Sequence, residues 1–239
     1  MTVVYLDLGN TRLKFAVDGV QGVQSIAHGS ASFVDELDAA LPPRIDHAVL
    51  ALVGPNDVRA ALLEFLSQRA KLITVARTVP ALGLLRIAYA APERLGVDRF
   101  LSMLSVVDER LPTLLVSVGT ALTVDWLDAA GRNRGGRIAP SPTLMREALN
   151  RKSSALPVAG GEWGTDAPFA DDTIPALASG CEGAAVALIE ASLQAARAQV
   201  PQTRLLLHGG GAPALMGYLQ EGTLLNEGTV LSGLAQYVR

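Results

Sequence analysis

The stretch TVVYLDLGNTRLKFAVDG, Thr2 to Gly19, reads as a strand, a glycine turn and a returning strand. Its first run, ending at Asp7, is rich in β-forming residues, and the chain breaks at Gly9-Asn10-Thr11. Arg12 to Val17 resumes as a second strand, closed by Asp18-Gly19, a strong hairpin signal. Val23 to Ala27 supplies a third strand. The same grammar returns in TLLVSVGTALTVDWLDAAG, Thr113 to Gly131. Setting Gly9 on Gly119 aligns strand, glycine, small polar turn and strand, and brings Asp18 onto Asp128.

The flanks repeat as well. Ala48 to Val53 is a buried strand ended by Gly54-Pro55-Asn56, with a helix to follow, capped by Asn56 or Asp57 and apolar at Val58, Leu62, Phe65 and Leu66. Arg204 to His208 runs likewise into Gly209-Gly210-Gly211 and a helix near Ala212 to Tyr218. Lys71 to Val75 is a strand, Asp98 to Arg110 has helical spacing, and Pro175 to Ala198 forms a long Ala-rich helix. The expected architecture is two duplicated α/β lobes, residues 1–112 and 113–239, joined near Leu111-Pro112. Ser153 to Asp172 lacks a period and reads as a long irregular loop, either a binding element or a plain connection.

Composition narrows the class. Hydrophobic residues make up 49% and charged residues 18%, enough to bury a core, which excludes a disordered chain. No uninterrupted apolar run reaches the ~18 residues of a membrane span, and the N-terminus lacks the pattern of a secretory signal. The net charge of −3 without a basic cluster points away from nucleic acid. One cysteine, Cys181, excludes an internal disulfide framework. A soluble cytoplasmic protein with no nucleic-acid or membrane partner is expected.

Three segments carry candidate chemistry. In Asp7-Leu8-Gly9-Asn10-Thr11-Arg12-Leu13-Lys14 a carboxylate ends a buried strand and a glycine turn lets backbone N–H groups approach a ligand. Such a turn suits phosphate oxygens, with Asp7 near a Mg²⁺ ion and Lys14 reaching forward. It is equally good hairpin chemistry with no ligand at all. Gly119-Thr120-Ala121 is the second such turn, with Thr120 in the place of Asn10, and the triple glycine at 209–211 favours close approach of a nucleoside. In Tyr89-Ala90-Ala91-Pro92-Glu93-Arg94-Leu95-Gly96-Val97-Asp98-Arg99, Asp98 opens a helix. It reads either as an N-cap or as a general base beside an anion-binding Arg99.

Taken together, these motifs resemble the acetate kinase, sugar kinase, Hsp70 and actin superfamily, and within it the type III pantothenate kinases. The resemblance rests on DLGNTRLK (Asp7 to Lys14), YAAPERLGVDR (Tyr89 to Arg99), GTALTVD (Gly119 to Asp125), GGRIAP (Gly135 to Pro140) and Asp172-Thr173. It implies duplicated ribonuclease H-like lobes with an interlobe nucleotide cleft, and ATP-dependent phosphorylation of pantothenate, the opening step of coenzyme A synthesis. Carried over, Asp7, Leu8, Gly9, Asn10, Thr11, Arg12, Leu13, Lys14 and Thr120 bind Mg-ATP. Tyr89, Gly96, Val97, Asp98, Arg99 and Thr173 bind pantothenate, and Asp98 is the base. A homodimer is implied.

Two positions depart from the family pattern. Ser117 stands where potassium- or ammonium-dependent members have aspartate, so cation dependence is expected to be weak or absent. Ser141 stands in place of a glycine and would strain a backbone that needs positive φ. A sugar kinase of the same superfamily and a silent nucleotide-sensing regulator are the rival readings. His208 reads as a strand-end residue, Cys181 as a buried small hydrophobe, and Trp126 and Trp163 as packing residues. Asp166, Asp171 and Asp172 read as a solvated loop, and His28 and His47 as lacking metal-ligand spacing.

Overall fold

The computed structural model describes residues 1–29, 32–160, 169–226 and 228–238. Strand β1 (Val3–Leu8) alternates as its residues dictate: Val4, Leu6 and Leu8 are fully buried, while Tyr5 and Asp7 stand half-buried on the opposite face. It pairs antiparallel with β2 (Arg12–Val17), which sets Asp7 opposite Lys14 and Leu8 opposite Leu13. On its other side it runs parallel to β4 (Ile45–Leu52). With β3 (Gln24–Ala27) and β5 (Ala70–Val75) the order is β3-β2-β1-β4-β5. Helices α1 (Phe33–Ala40) and α2 (Asn56–Ser67) bury Leu37, Leu62 and Leu66 against Phe15 and Leu50 of this sheet. Pro55, rather than Asn56 or Asp57, holds the cap position of α2, and the Asn56 side chain accepts from Arg59 instead (3.1 Å).

A small hairpin, β6 (Ala81–Leu82) and β7 (Leu85–Arg86), and a 3₁₀ turn at Pro92–Arg94 lead into α3 (Val97–Leu104). The spacing predicts a helix continuing to Arg110. It stops at Leu104, where Ser105 Oγ donates to Ser102 O (2.7 Å) and the Val106 amide bonds three residues back to Met103 (3.3 Å). A separate 3₁₀ turn covers Val107–Glu109, and Arg110 has φ +54°.

The second half builds its own sheet. Strand β8 (Thr113–Val118) pairs antiparallel with β9 (Ala121–Leu127) and parallel with β11 (Arg204–His208). β10 (Asn133–Pro140) and β12 (Leu224–Leu225) complete the order β10-β9-β8-β11-β12, which repeats the first sheet strand for strand. α4 (Pro142–Lys152) follows β10, and α5 (Thr173–Gln199) and α6 (Ala212–Met216) bury Ala185, Ile189, Leu193 and Leu215 on this sheet. This is the duplicated α/β architecture that the two halves of the sequence predict. By length and composition α5 could cross a membrane, although Glu182 and Glu190 interrupt its apolar run. Here one of its faces is packed on the second sheet and buries Cys181, Val186 and Ile189.

The chain divides into two compact units that are not sequential. One comprises Met1–Glu109, Ala130–Asn133 and Gly228–Arg239; the other comprises Arg110–Ala129 and Arg134–Glu227. A cut after residue 112 assigns the last helix, α7 (Thr229–Tyr237), to the second lobe, whereas it packs with the first. The reason is its apolar stripe: Leu231 and Leu234 are buried, and α7 packs on α3, β1 and β4.

Candidate active site

The glycine turn after β1 is closed by its own backbone, with the Gly9 amide donating to Arg12 O (3.0 Å). The N–H groups of Asn10 and Thr11 have no protein partner among the described residues, and both residues are exposed. Unpaired successive amides beside a lysine form an anion cradle. Asp7 stands across the strand pair from Lys14. Burial first, and the Asp98 carboxylate second, push its carboxyl up to about 7, with Lys14 partly offsetting both. A desolvated carboxylate beside free amides is the donor set that a magnesium–phosphate group requires, so these residues fit Mg-ATP.

Two residues that the sequence reading does not place at this turn secure it. His28 Nε2 lies 3.0 Å from Gly9 O. Gly54 packs so closely that a Cβ there would stand 2.4 Å from the same oxygen, and its amide donates to Leu8 O (2.8 Å). The Gly54-Pro55 signal was visible only as a strand end.

In the second unit the Gly119 amide donates to Ala121 O (3.0 Å), and Thr120 is exposed. The triple glycine is mostly a packing device. A Cβ at Gly209, whose φ is +94°, would stand 2.5 Å from Val118 O, and one at Gly211 would stand 2.8 Å from a Val118 methyl. Gly210 alone faces open space, which corrects the inference from three glycines together. Ser141 is unstrained at φ −68°. It caps α4 by accepting from the Leu144 amide (3.3 Å) and donates its hydroxyl to Thr120 O (3.0 Å). Ser117 lies in register between Thr123 on β9 and His208 on β11. That row offers two hydroxyls and an imidazole but no carboxylate.

The acceptor segment belongs wholly to the first unit. Thr78 Oγ1 donates to Leu95 O (2.8 Å), and Asn133 Oδ1 accepts from the Ala88 amide (3.3 Å) next to Tyr89. Gly96 holds the N-cap position of α3 and no side chain caps it. Asp98 is therefore not the cap. Its half-buried carboxylate lies over Gly96, in the space a Cβ would take (2.5 Å), and its charge reaches Asp7. Arg99, 6% exposed, donates to the Tyr89 hydroxyl (3.2 Å) and holds its guanidinium 5.8 Å from that ring. The structure thus brings Asp7, Lys14 and Asp98 together, and Arg99 with Tyr89. Thr173 is exposed in the second unit as the first residue of α5, where Asp172 caps the helix by accepting from the Thr173 amide (2.7 Å). Asp172 is thus a cap rather than a plain solvated acid, while Trp163 and Asp166 lie outside the described residues.

The family model for type III pantothenate kinase matches residues 3–195. The type III pantothenate kinase of Stenotrophomonas maltophilia (strain R551-3) is 46% identical over 235 residues, covering 97% of this chain and 95% of that protein. That of Xanthomonas campestris pv. campestris (strain B100) is 47% identical over 236 residues, covering 97% and 95%. A crystal structure from Campylobacter jejuni, described as a Baf family transcriptional activator, superposes with a TM-score of 0.65 at 16% identity, covering 98% of this chain and 96% of that one, and so shares the fold. The chain belongs to the type III pantothenate kinase family.

Proposed function

We propose that the chain moves the γ-phosphoryl group of ATP to the primary hydroxyl of pantothenate, with Asp98 as proton acceptor. The observation that carries this reading is the state of Asp98: a carboxylate at a helix start, released from capping by Gly96 and set beside Asp7. The acceptor hydroxyl gives its proton to Asp98 as its oxygen bonds to phosphorus. The bond from phosphorus to the bridging oxygen breaks, and ADP departs with that electron pair. Arg99 and Tyr89, with Gly96, Val97 and Thr173, hold the acceptor, and a guanidinium suits its carboxylate. Asp7 to Lys14 and Thr120 hold the phosphates. Asp7 would carry the Mg²⁺ ion, which when bound offsets charge on the phosphates.

Family membership supports pantothenate over a hexose, and Arg99 supports an anionic acceptor. The absence of a carboxylate from the row around Ser117 supports a reaction with little need of potassium. Exposed Leu149, Phe169 and Ile174, with an apolar groove between α4 and α5, support burial against a second copy in a cytoplasmic homodimer. Purified protein with Mg-ATP is expected to release ADP on addition of pantothenate and not of hexoses. Folded protein that gives no such release at low or high potassium overturns the reading.

A further inference from the structure

The residue that directly follows the third strand of each sheet bonds to a carbonyl of the glycine turn in both units, one position further along the turn in the second. β3 ends at Ala27, and the next residue, His28, places Nε2 3.0 Å from Gly9 O. β10 ends at Pro140, and the next residue, Ser141, donates its hydroxyl to Thr120 O (3.0 Å). Each carbonyl belongs to the glycine turn that joins the first two strands of that unit. Gly9 O is only an acceptor, so His28 carries a proton on Nε2 and donates it.

We propose that His28 and Ser141 are a duplicated pair of positioning residues that fix the peptide orientation of the two phosphate turns. The inference rests on reading those turns as the ATP phosphate site. A trans peptide holds its C=O and the following N–H in opposite directions. Anchoring Gly9 O therefore aims the Asn10 amide away from His28, and anchoring Thr120 O aims the Ala121 amide away from Ser141. An unanchored turn peptide is free to turn its oxygen toward the phosphates, where it repels them, most easily at Gly9. The two donors differ in type, imidazole and hydroxyl, and share only their place in the fold. That is why neither stood out as a motif, and why Ser141 is more here than a substituted glycine. It trades conformational freedom at the end of β10 for a hydrogen bond to the turn.

The test is a comparison of KM for ATP, KM for pantothenate, ADP affinity by calorimetry and melting temperature. His28→Ala and Ser141→Ala are each expected to weaken nucleotide binding about three- to tenfold, the range of one hydrogen bond, with KM for pantothenate unchanged. Ser141→Ala also removes the α4 cap and lowers the melting temperature, whereas His28→Ala has no cap to lose. His28→Gln and Ser141→Thr, which keep a donor, are expected to restore nucleotide affinity. The proposal is overturned if folded His28→Ala and Ser141→Ala bind ADP as the parent does. It is overturned equally if both KM values move together and the donor-bearing variants restore neither. Lys14→Ala separates the two levels: if it weakens ADP binding while the other two do not, only the anchoring role falls. If Lys14→Ala is also without effect, the phosphate-turn reading falls with it.

Discussion

At the scale of single residues, Asp98 and Asp7 are two carboxylates with different duties. Gly96 occupies the α3 cap, so Asp98→Asn removes a charge without removing a cap. Its melting temperature is expected to stay near that of the parent while turnover falls by roughly 10²–10⁴-fold. Steady-state kinetics beside a thermal melt checks this, and near-full activity would end the catalytic assignment. Asp7 has a folded pKa of about 7 against an ordinary 3.8. The folded protein therefore binds that proton more tightly than the unfolded chain does. The stability it contributes is complete below the unfolded value and drains away as pH rises through about 7. Asp7→Asn removes this slope. The melting temperature of the ligand-free variant is expected to gain on the parent between pH 5 and pH 8, and the stabilisation by Mg-ATP is expected to vanish. An Asn-minus-Asp difference that is constant over that pH range would show Asp7 to be an ordinary carboxylate.

At the scale of elements, α3 is held by α7 rather than by its own ends. A Cβ at Gly233 would stand 2.1 Å from Leu101 O and 2.9 Å from Leu101 Cα, backbone atoms that cannot swing aside. Ser102 and Thr229 hydroxyls face each other (3.5 Å), and Gln236 donates to Ser105 O (3.3 Å). Gly233→Ala is therefore expected to displace α3 and, with it, Asp98 and Arg99. Pantothenate KM should rise and kcat fall while ADP affinity in calorimetry stays within about twofold, and unchanged kinetics would mean that the helices separate freely. This clamp also marks the boundary of what the sequence discloses. β2 runs from Arg12 to Val17 as read, and β1 is displaced by one residue, because alternation and turn chemistry are local signals. The Gly9 turn and the Tyr89–Arg99 segment were legible for the same reason, as contiguous motifs. His28 on Gly9 O, Asn133 on Ala88 N and Gln236 on Ser105 O join residues 19, 45 and 131 positions apart. No periodicity encodes such partners. The cap reading of Asp98 failed for a related cause: a glycine with extended dihedrals can begin a helix without announcing itself in composition.

At the scale of the whole molecule, the duplication is real in topology yet interrupted in chain order. Residues 130–133 and 228–239 fold with the first unit, although both follow the start of the second. Within that unit Arg86 N bonds to Gly131 O (2.8 Å), and α7 buries Leu231 and Leu234. Two leucines at roughly 1.5–3 kcal/mol each predict a large penalty for ending the chain at Glu227. A melt of the truncated protein is expected to show a drop of about 10 °C or more, or no cooperative transition. A truncated chain that melts like the parent would mean that α7 contributes nothing to the first unit. The helix that carries Asp98 also acquires a history in time. A ribosome adding about 5–20 residues per second completes the Asp98 segment early, but the helix that clamps it is made only after the whole second sheet. The unit begun first is thus completed only after the strands of the second, and a nascent chain holds α3 unclamped until α7 has been made.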